Sequence, residues 1–235
     1  MNVAIILAGG TGTRAGLEVP KQYYEVNGKP VISYCLHTFL VHEEIDAVQI
    51  VADRMWHGYI MQHLFALPCN EKFRGFSVPG ENRQLSVYHA LADIRRYALD
   101  NDFVIIHDAA RPCVMAVQIK DCLKAAKGHD GALPVLQMKD TVYLSGDGKA
   151  VSSLLDRGKV FAGQAPEVFL LGKYYEANRA LLPDKILKIN GSAEPAVMAG
   201  MDIAMIPGDE GNFKITTAAD LKRFREIVQK DRCVV

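Results

Sequence analysis

Asn2-Val3-Ala4-Ile5-Ile6-Leu7-Ala8-Gly9-Gly10-Thr11-Gly12-Thr13-Arg14, followed a few residues later by Pro20-Lys21-Gln22, decides the fold. The unbroken apolar run over residues 2–8 is the pattern of a parallel strand buried on both faces. The glycine-rich turn after it sits where open α/β sheets bind ligands, at the carboxyl edge of the strands. Working outward, the same rhythm repeats. Pro30 stands where a helix over residues 31–41 would start. Residues 47–52 read as a second strand, 55–67 as a helix and 76–78 as a short strand. Asn82 is placed to cap a helix reaching about residue 99. Residues 103–107 read as a third strand, 117–126 as a helix and 132–136 as a further strand. This alternation predicts an α/β fold with a mostly parallel sheet and helices on both faces.

The rhythm breaks over residues 139–169. A Ser145-Gly146-Asp147-Gly148 turn there separates two β-leaning pieces, residues 141–144 and 151–154. We read this as a hairpin arm inserted into one domain spanning residues 1–235, without a linker. The pattern resumes with a helix near residues 173–181, a strand at 202–206 and a last helix over 218–229.

Composition narrows the function classes. Lys plus Arg number 27 and Asp plus Glu number 27, so the formal net charge is zero. Nucleic-acid binders carry a basic excess, which speaks against such a partner while leaving room for a small anion met by a few local cations. Hydrophobic residues at 49% exclude a disordered chain. No apolar run approaches the roughly 20 residues of a membrane helix, and the first residues lack the positive start of a signal peptide. Five cysteines, Cys35, Cys69, Cys113, Cys122 and Cys233, form no CxxC pair and fit reduced thiols in the cytoplasm. Seven histidines include no HExxH pairing.

Four segments carry the candidate chemistry. In the first loop, Gly9, Gly10 and Gly12 let backbone N–H groups approach a phosphate, and Arg14 and Lys21 bring two cations to the same place. That suits a triphosphate better than a plain glycine turn. The loop is neither a dinucleotide fingerprint nor a Walker loop, because Ala15-Gly16 falls at the wrong offset and Gly12 is not followed by Lys. The second segment is His107-Asp108-Ala109-Ala110-Arg111-Pro112, directly after a strand. Asp108 is placed to hold Mg²⁺, which takes one or two carboxylates plus phosphate oxygens, and Arg111 to face an anion; the plainer alternative is an Asp capping a turn beside a surface Arg. His107 reads as a support of the loop. The third is Gly80-Glu81-Asn82-Arg83-Gln84-Leu85-Ser86-Val87, which helix capping alone would explain. The fourth is Lys214, ahead of the Thr216-Thr217 cap of the last helix. Tyr23, Tyr24 and Trp56 read as packing.

Together and in this order, the four segments resemble the cytidylyltransferases that activate alditol phosphates, acting on 2-C-methyl-D-erythritol 4-phosphate or ribitol 5-phosphate. The likeness runs from Ala8 to Leu221. It implies a Rossmann-like sheet with a protruding β-arm that forms a homodimer, CTP and a phosphorylated alditol as substrates, and Mg²⁺ as cofactor. It implies that Arg14, Lys21 and Lys214 are catalytic cations and that the backbone of Ala8, Gly9, Gly10 and Gly12 borders the nucleotide. Gly80, Glu81 and Ser86 then contact the cytosine, and Asp108 engages both nucleotide and metal. Arg111 faces the acceptor, while Thr141 and Arg157 on the arm reach the acceptor phosphate of the neighbouring subunit.

Two stretches depart from the family. Gln164-Ala165-Pro166-Glu167 replaces a usual Gln-Thr-Pro-Gln, and Asn190-Gly191-Ser192 stands where the erythritol enzymes carry Thr-Asp-Asp. Both lie on the acceptor side. The expectation is a methylerythritol phosphate cytidylyltransferase, with ribitol phosphate as the alternative. A sugar-1-phosphate nucleotidyltransferase and a nucleotide-binding module without turnover are the further readings. Arg14, Lys21, Arg111, Arg157 and Lys214 are expected to converge on one site, with Asp108 as the one acid placed there for the metal.

Overall fold

The computed structural model describes residues 1–10 and 19–230. The opening apolar run is strand β1 (Asn2–Leu7), and its Val3, Ala4, Ile5 and Ile6 are fully buried. A small hairpin follows, β2 (Glu25–Val26) and β3 (Lys29–Pro30). It turns through Asn27 and Gly28, both at positive φ. Asn-Gly is the favoured pair for a two-residue hairpin turn, a signal the sequence reading passed over. Helix α1 (Val31–Val41) begins directly after Pro30. Then come β4 (Ala47–Val51), α2 (Arg54–Leu64) and β5 (Phe73–Ser77).

Helix α3 (Arg83–Ile94) starts where Asn82 predicts, with the Asn82 side chain accepting from the Leu85 amide at 2.8 Å. It ends before residue 99. The Asp102 carboxylate takes the Leu99 amide at 2.7 Å, and turns fill the interval. Strand β6 (Phe103–Asp108), α4 (Ala116–Ala126) and β7 (Gly131–Gln137) continue the alternation.

The arm is a hairpin of β8 (Val142–Leu144) and β9 (Ser153–Leu155), which pair antiparallel with each other alone. The expected arm boundary at residue 169 is too long. Strand β10 (Phe161–Gly163) already pairs with β7, and β11 (Glu167–Leu170) lies inside the main sheet between β6 and β7. Val168 and Phe169 are fully buried there, so this segment completes the core instead of projecting from it. Helices α5 (Leu171–Arg179) and α6 (Ala193–Met198), strand β12 (Ile203–Pro207) and helix α7 (Ala218–Gln229) close the chain.

The main sheet runs β10-β7-β11-β6-β1-β4-β5, with β12 also pairing β7. Strands β1, β4, β5 and β6 pair parallel, as β12 does with β7, and β10 and β11 are the antiparallel members. The two faces follow the two-residue period of a strand. Ala4 and Ile6 pack with Ile32, Leu36 and Phe39 of α1, Ile60 of α2 and Ile119 of α4. Val3 and Ile5 pack with Val87 and Leu91 of α3 and Tyr174 of α5 on the other face. From β1 the chain moves to β4 and β5 on one side and then returns to β6 on the other. The crevice at the carboxyl ends of β1 and β6, where Leu7 lies opposite Asp108, is therefore the topological switch point of the sheet.

Candidate active site

A cleft of about 420 Å³ opens at that switch point. Its walls include Gly9, Gly10 and Lys21 from the first loop, Gly80, Glu81 and Ser86 ahead of and within α3, Asp108 from β6, and Lys214. Four segments far apart in sequence thus meet as the resemblance implied. Gly12 and Arg14 lie outside the described residues.

Close packing dictates two of the glycines. A Cβ on Gly9 would fall 2.8 Å from the Pro79 side chain, and one on Gly80 would fall 2.6 Å from Leu85. The Gly80 amide donates to the Ser86 hydroxyl oxygen at 2.9 Å, and that hydroxyl donates to the Asn82 carbonyl at 2.8 Å. The Asn82 side chain also donates to the Ile186 carbonyl at 2.9 Å. Turn and helix start form one wired unit on the cleft wall.

Ala8 is placed differently. It is buried, its amide donates to the Val51 carbonyl at 2.8 Å, and its own carbonyl accepts from Gln22 and Tyr23. Both backbone groups are spent inside the protein, so Ala8 supports the loop from behind. The Gln22 amide nitrogen donates to the Ala8 carbonyl at 2.7 Å and to the Gly10 carbonyl at 2.6 Å. Tyr23 stacks on Trp56 with ring centroids 4.3 Å apart, which bears out the packing role.

Asp108 is the electrostatic centre. Arg83 Nε donates to its Oδ1 at 3.1 Å, Lys214 Nζ lies 3.1 Å from Oδ2, and Arg111 Nε lies 3.5 Å from Oδ2. Burial alone would raise its pKa. The Arg83, Lys214 and Arg111 charges outweigh that and hold the carboxyl far below the usual carboxylate range. His107 is fully buried, with its pKa pushed down to about 4 by desolvation. Its Nε2 lies 3.0 Å from the Arg111 carbonyl, which can only accept, so the neutral ring carries its proton there and holds the loop.

Arg83 is the functional residue that the sequence reading quoted without a role. A cation in the first turn of a helix opposes the helix dipole. That misfit was the available signal, and Asp108 is what resolves it. Arg83 also donates through Nη1 to the Ser192 hydroxyl. The Glu167 carboxyl lies near Arg83 and Ser192, and its pKa is raised by burial despite the Arg83 charge. The two stretches that depart from the family therefore meet behind Arg83. Glu167 thus sets a further carboxyl behind Arg83, while Asp108 and Glu81 are the acids that line the cleft.

Arg111 is turned toward the protein. Its Nη1 donates to the Asn212 carbonyl at 2.7 Å, while the Asn212 side chain donates to the Ala165 carbonyl at 2.7 Å. The Ile215 amide donates to the Ala110 carbonyl at 2.8 Å. These bonds fix the segment that delivers Lys214. Thr141 and Arg157 are exposed on the arm and are not among the residues lining the cleft. Arg157 Nη1 donates to the Lys139 carbonyl at 2.8 Å. Three of the five converging cations are thus placed around Asp108 or in its cleft, Arg157 is not, and Arg14 lies outside the description.

No group of three or more His, Cys, Asp or Glu among the described residues could hold a metal by itself. Asp108, ionised and facing the cleft, fits a divalent cation whose other ligands come from phosphate oxygens.

A family model described as 2-C-methyl-D-erythritol 4-phosphate cytidylyltransferase matches residues 2–230. The ribitol-5-phosphate cytidylyltransferase of Streptococcus agalactiae serotype III (strain NEM316) is 31% identical over 228 residues, covering 97% of this chain and 95% of that protein. The ribitol-5-phosphate cytidylyltransferase of Vibrio parahaemolyticus serotype O3:K6 is 32% identical over 230 residues, covering 97% and 96%. Among solved structures, the 2-C-methyl-D-erythritol 4-phosphate cytidylyltransferase of Francisella tularensis superposes with a TM-score of 0.79 at 27% identity, covering 96% of this chain and 98% of that one.

Proposed function

The chain belongs to the 2-C-methyl-D-erythritol 4-phosphate cytidylyltransferase family, and on that premise we propose that it transfers CMP from CTP to the phosphate of an alditol phosphate and releases pyrophosphate. The observation that carries this reading is the meeting of Lys21, Arg83 and Lys214 with Asp108 at the carboxyl ends of β1 and β6. A phosphate oxygen of the acceptor attacks the α-phosphorus of CTP, and the bond from that phosphorus to the β-phosphate oxygen breaks. The attacking oxygen is already anionic, so no general base is needed. Lys21 and Lys214 bind phosphate oxygens and stabilise the charge that builds in the transition state. Gly80, Glu81 and Ser86 form the wall for the cytosine. A divalent cation held by Asp108 with phosphate oxygens would supply further charge neutralisation.

Two acceptors divide the finer reading. Ribitol 5-phosphate is favoured by the two ribitol-phosphate relatives, matched nearly end to end, and by the replaced Asn190-Gly191-Ser192 loop. Methylerythritol 4-phosphate is favoured by the family model and by His107-Asp108-Ala109-Ala110-Arg111-Pro112. We place ribitol phosphate first, on the strength of those relatives and of the two stretches that depart from the erythritol enzymes. The arm is the dimer contact in this reading, with Thr141 and Arg157 supplied to the neighbouring site.

Pyrophosphate release from CTP, measured with ribitol 5-phosphate, methylerythritol 4-phosphate and a sugar 1-phosphate in parallel, tests the assignment. Ribitol 5-phosphate should give the highest kcat/KM. CTP binding without release from any acceptor would overturn the enzyme reading in favour of a binding module.

A further inference from the structure

We infer that Gln22, which helps to line the cleft, is a positioning residue for the nucleotide's phosphates, acting by engaging two carbonyl oxygens of the first loop. The inference rests on the nucleotide reading above and adds a residue to it. A primary amide nitrogen carries two hydrogens, and Gln22, only 3% exposed, gives both away: one to the Ala8 carbonyl at 2.7 Å, one to the Gly10 carbonyl at 2.6 Å. Those oxygens are the negative ends of two peptide dipoles beside the glycines that line the cleft. In a planar trans peptide the C=O and the next N–H point in opposite directions. Turning the Ala8 carbonyl onto Gln22 therefore aims the Gly9 N–H away from Gln22. A backbone anion site needs its carbonyl oxygens engaged by other donors, and both of these are spent on Gln22. A carbonyl left to rotate into the cleft would set its oxygen against those of a triphosphate.

The surroundings hold Gln22 to this task. It sits in the short turn Lys21–Tyr23 behind Pro20, whose φ of −56° the ring fixes. Tyr23, next in the turn, donates its hydroxyl to the same Ala8 carbonyl at 2.9 Å and is clamped against Trp56. Lys21 precedes Gln22 in the turn and lines the cleft. One turn thus fixes both the loop's backbone dipoles and the placement of a phosphate-binding ammonium. The predicted signature is selective, with loss growing with the number of phosphates on the ligand.

The test is equilibrium titration of CTP and, separately, CMP into the wild type, Gln22→Met, Gln22→Glu and Tyr23→Phe, each with a thermal unfolding curve. Gln22→Met keeps length and bulk and removes both donors. It should raise the Kd for CTP by about tenfold and that for CMP by less than about twofold. Gln22→Glu sets a carboxylate against two carbonyl oxygens. Relative to wild type at the same pH, its loss should be greater near pH ~8 than near pH ~5, because a protonated carboxyl can donate again. That pH contrast carries the test if Gln22→Met does not fold. Tyr23→Phe removes one of two donors to the Ala8 carbonyl and should weaken CTP less than Gln22→Met. Wild-type affinity in Gln22→Met, or equal losses for CTP and CMP, overturns the inference while the nucleotide reading stands. A wild type that binds no CTP overturns both.

Discussion

At the cleft, Asp108 is buried and takes ion pairs from Arg83, Lys214 and Arg111. On the arm, Asp156 pairs with Lys159 at 3.6 Å, both exposed, and Arg157 donates to the Lys139 backbone carbonyl. Exposed pairs of the second kind are worth about 0–1 kcal/mol, whereas removing one partner of a buried pair costs about 3–5 kcal/mol. The apolar residues differ in the same way. Val3, Ile5, Ile6, Val104, Ile105 and Ile106 of β1 and β6 are fully buried, while Tyr143 (58%), Leu144 (53%), Val151 (66%) and Leu154 (66%) of the arm lie open to solvent. A lone two-stranded hairpin is marginal in water. Among the described residues, the cleft draws its charges from one chain, whereas the arm carries exposed apolar side chains, as the proposed dimer contact would.

The contrast predicts its largest effect on turnover. Lys21→Ala and Lys214→Ala should each lower kcat by a factor of about 10²–10³, roughly 3 kcal/mol of transition-state stabilisation, by analogy with losing one oxyanion donor. Stability should change little, because Arg83 and Arg111 remain on Asp108 when Lys214 is lost. Lys149→Ala, an exposed cation at the tip of the arm, should leave kcat and the urea midpoint unchanged. Near-normal turnover in both cleft variants would break the distinction between the two regions.

The next effect belongs to the arm. Tyr143→Ser combined with Leu154→Ser should halve the mass in sedimentation and depress kcat, while unfolding free energy per chain stays within about 0.5 kcal/mol. A sharper version mixes two inactive proteins. Lys21→Ala lacks a cleft cation and Arg157→Ala lacks an arm cation; in a mixed dimer one site regains both. Recovered turnover supports exchange of arms between sites. No recovery, with mixed dimers confirmed by mass, means that Arg157 serves the site of its own chain.

These regions also differ in how far the sequence disclosed them. Pro30 and Thr217 mark helix starts by local chemistry, and α1 and α7 begin where they predict. Asn82 does the same for α3, because a cap depends on a side chain and the amide three residues on. Strand β11 was missed because its place is set by partners distant in sequence: Glu167 pairs with Ile106, and Phe169 with Gly131. The four site segments could be read because glycines, prolines and charges at strand ends carry their chemistry in their spacing. Gln22 and Arg83 carry no such signal, since an amide or guanidinium acting through another residue is defined only by what it touches. Glu167 and Ser192 were visible as departures, but not as neighbours.

The smallest predicted effect separates the cleft from its own scaffold. Asp220 Oδ2 accepts from the amides and hydroxyls of Thr216 and Thr217 at 2.8–2.9 Å, and its amide bonds the Thr217 hydroxyl, closing a capping box at the start of α7. Burial would raise the Asp220 pKa, but these bonds outweigh it and bring the group down to about 2 from 3.8. A carboxyl depressed in the folded state adds stability that is present above the unfolded value and lost as pH falls toward the folded one. Its contribution should therefore be full above pH 3.8 and fade toward pH 2. Asp220→Ala should cost about 1 kcal/mol in urea unfolding at neutral pH, the usual worth of a cap, and the gap to wild type should close as acid is added. Turnover should hold, because Lys214 is anchored independently of α7 by the Ile215 amide on Ala110 and by the Arg111 clasp on Asn212. A fall in kcat exceeding the loss of stability would mean that the helix start, and not that clasp, sets the position of Lys214.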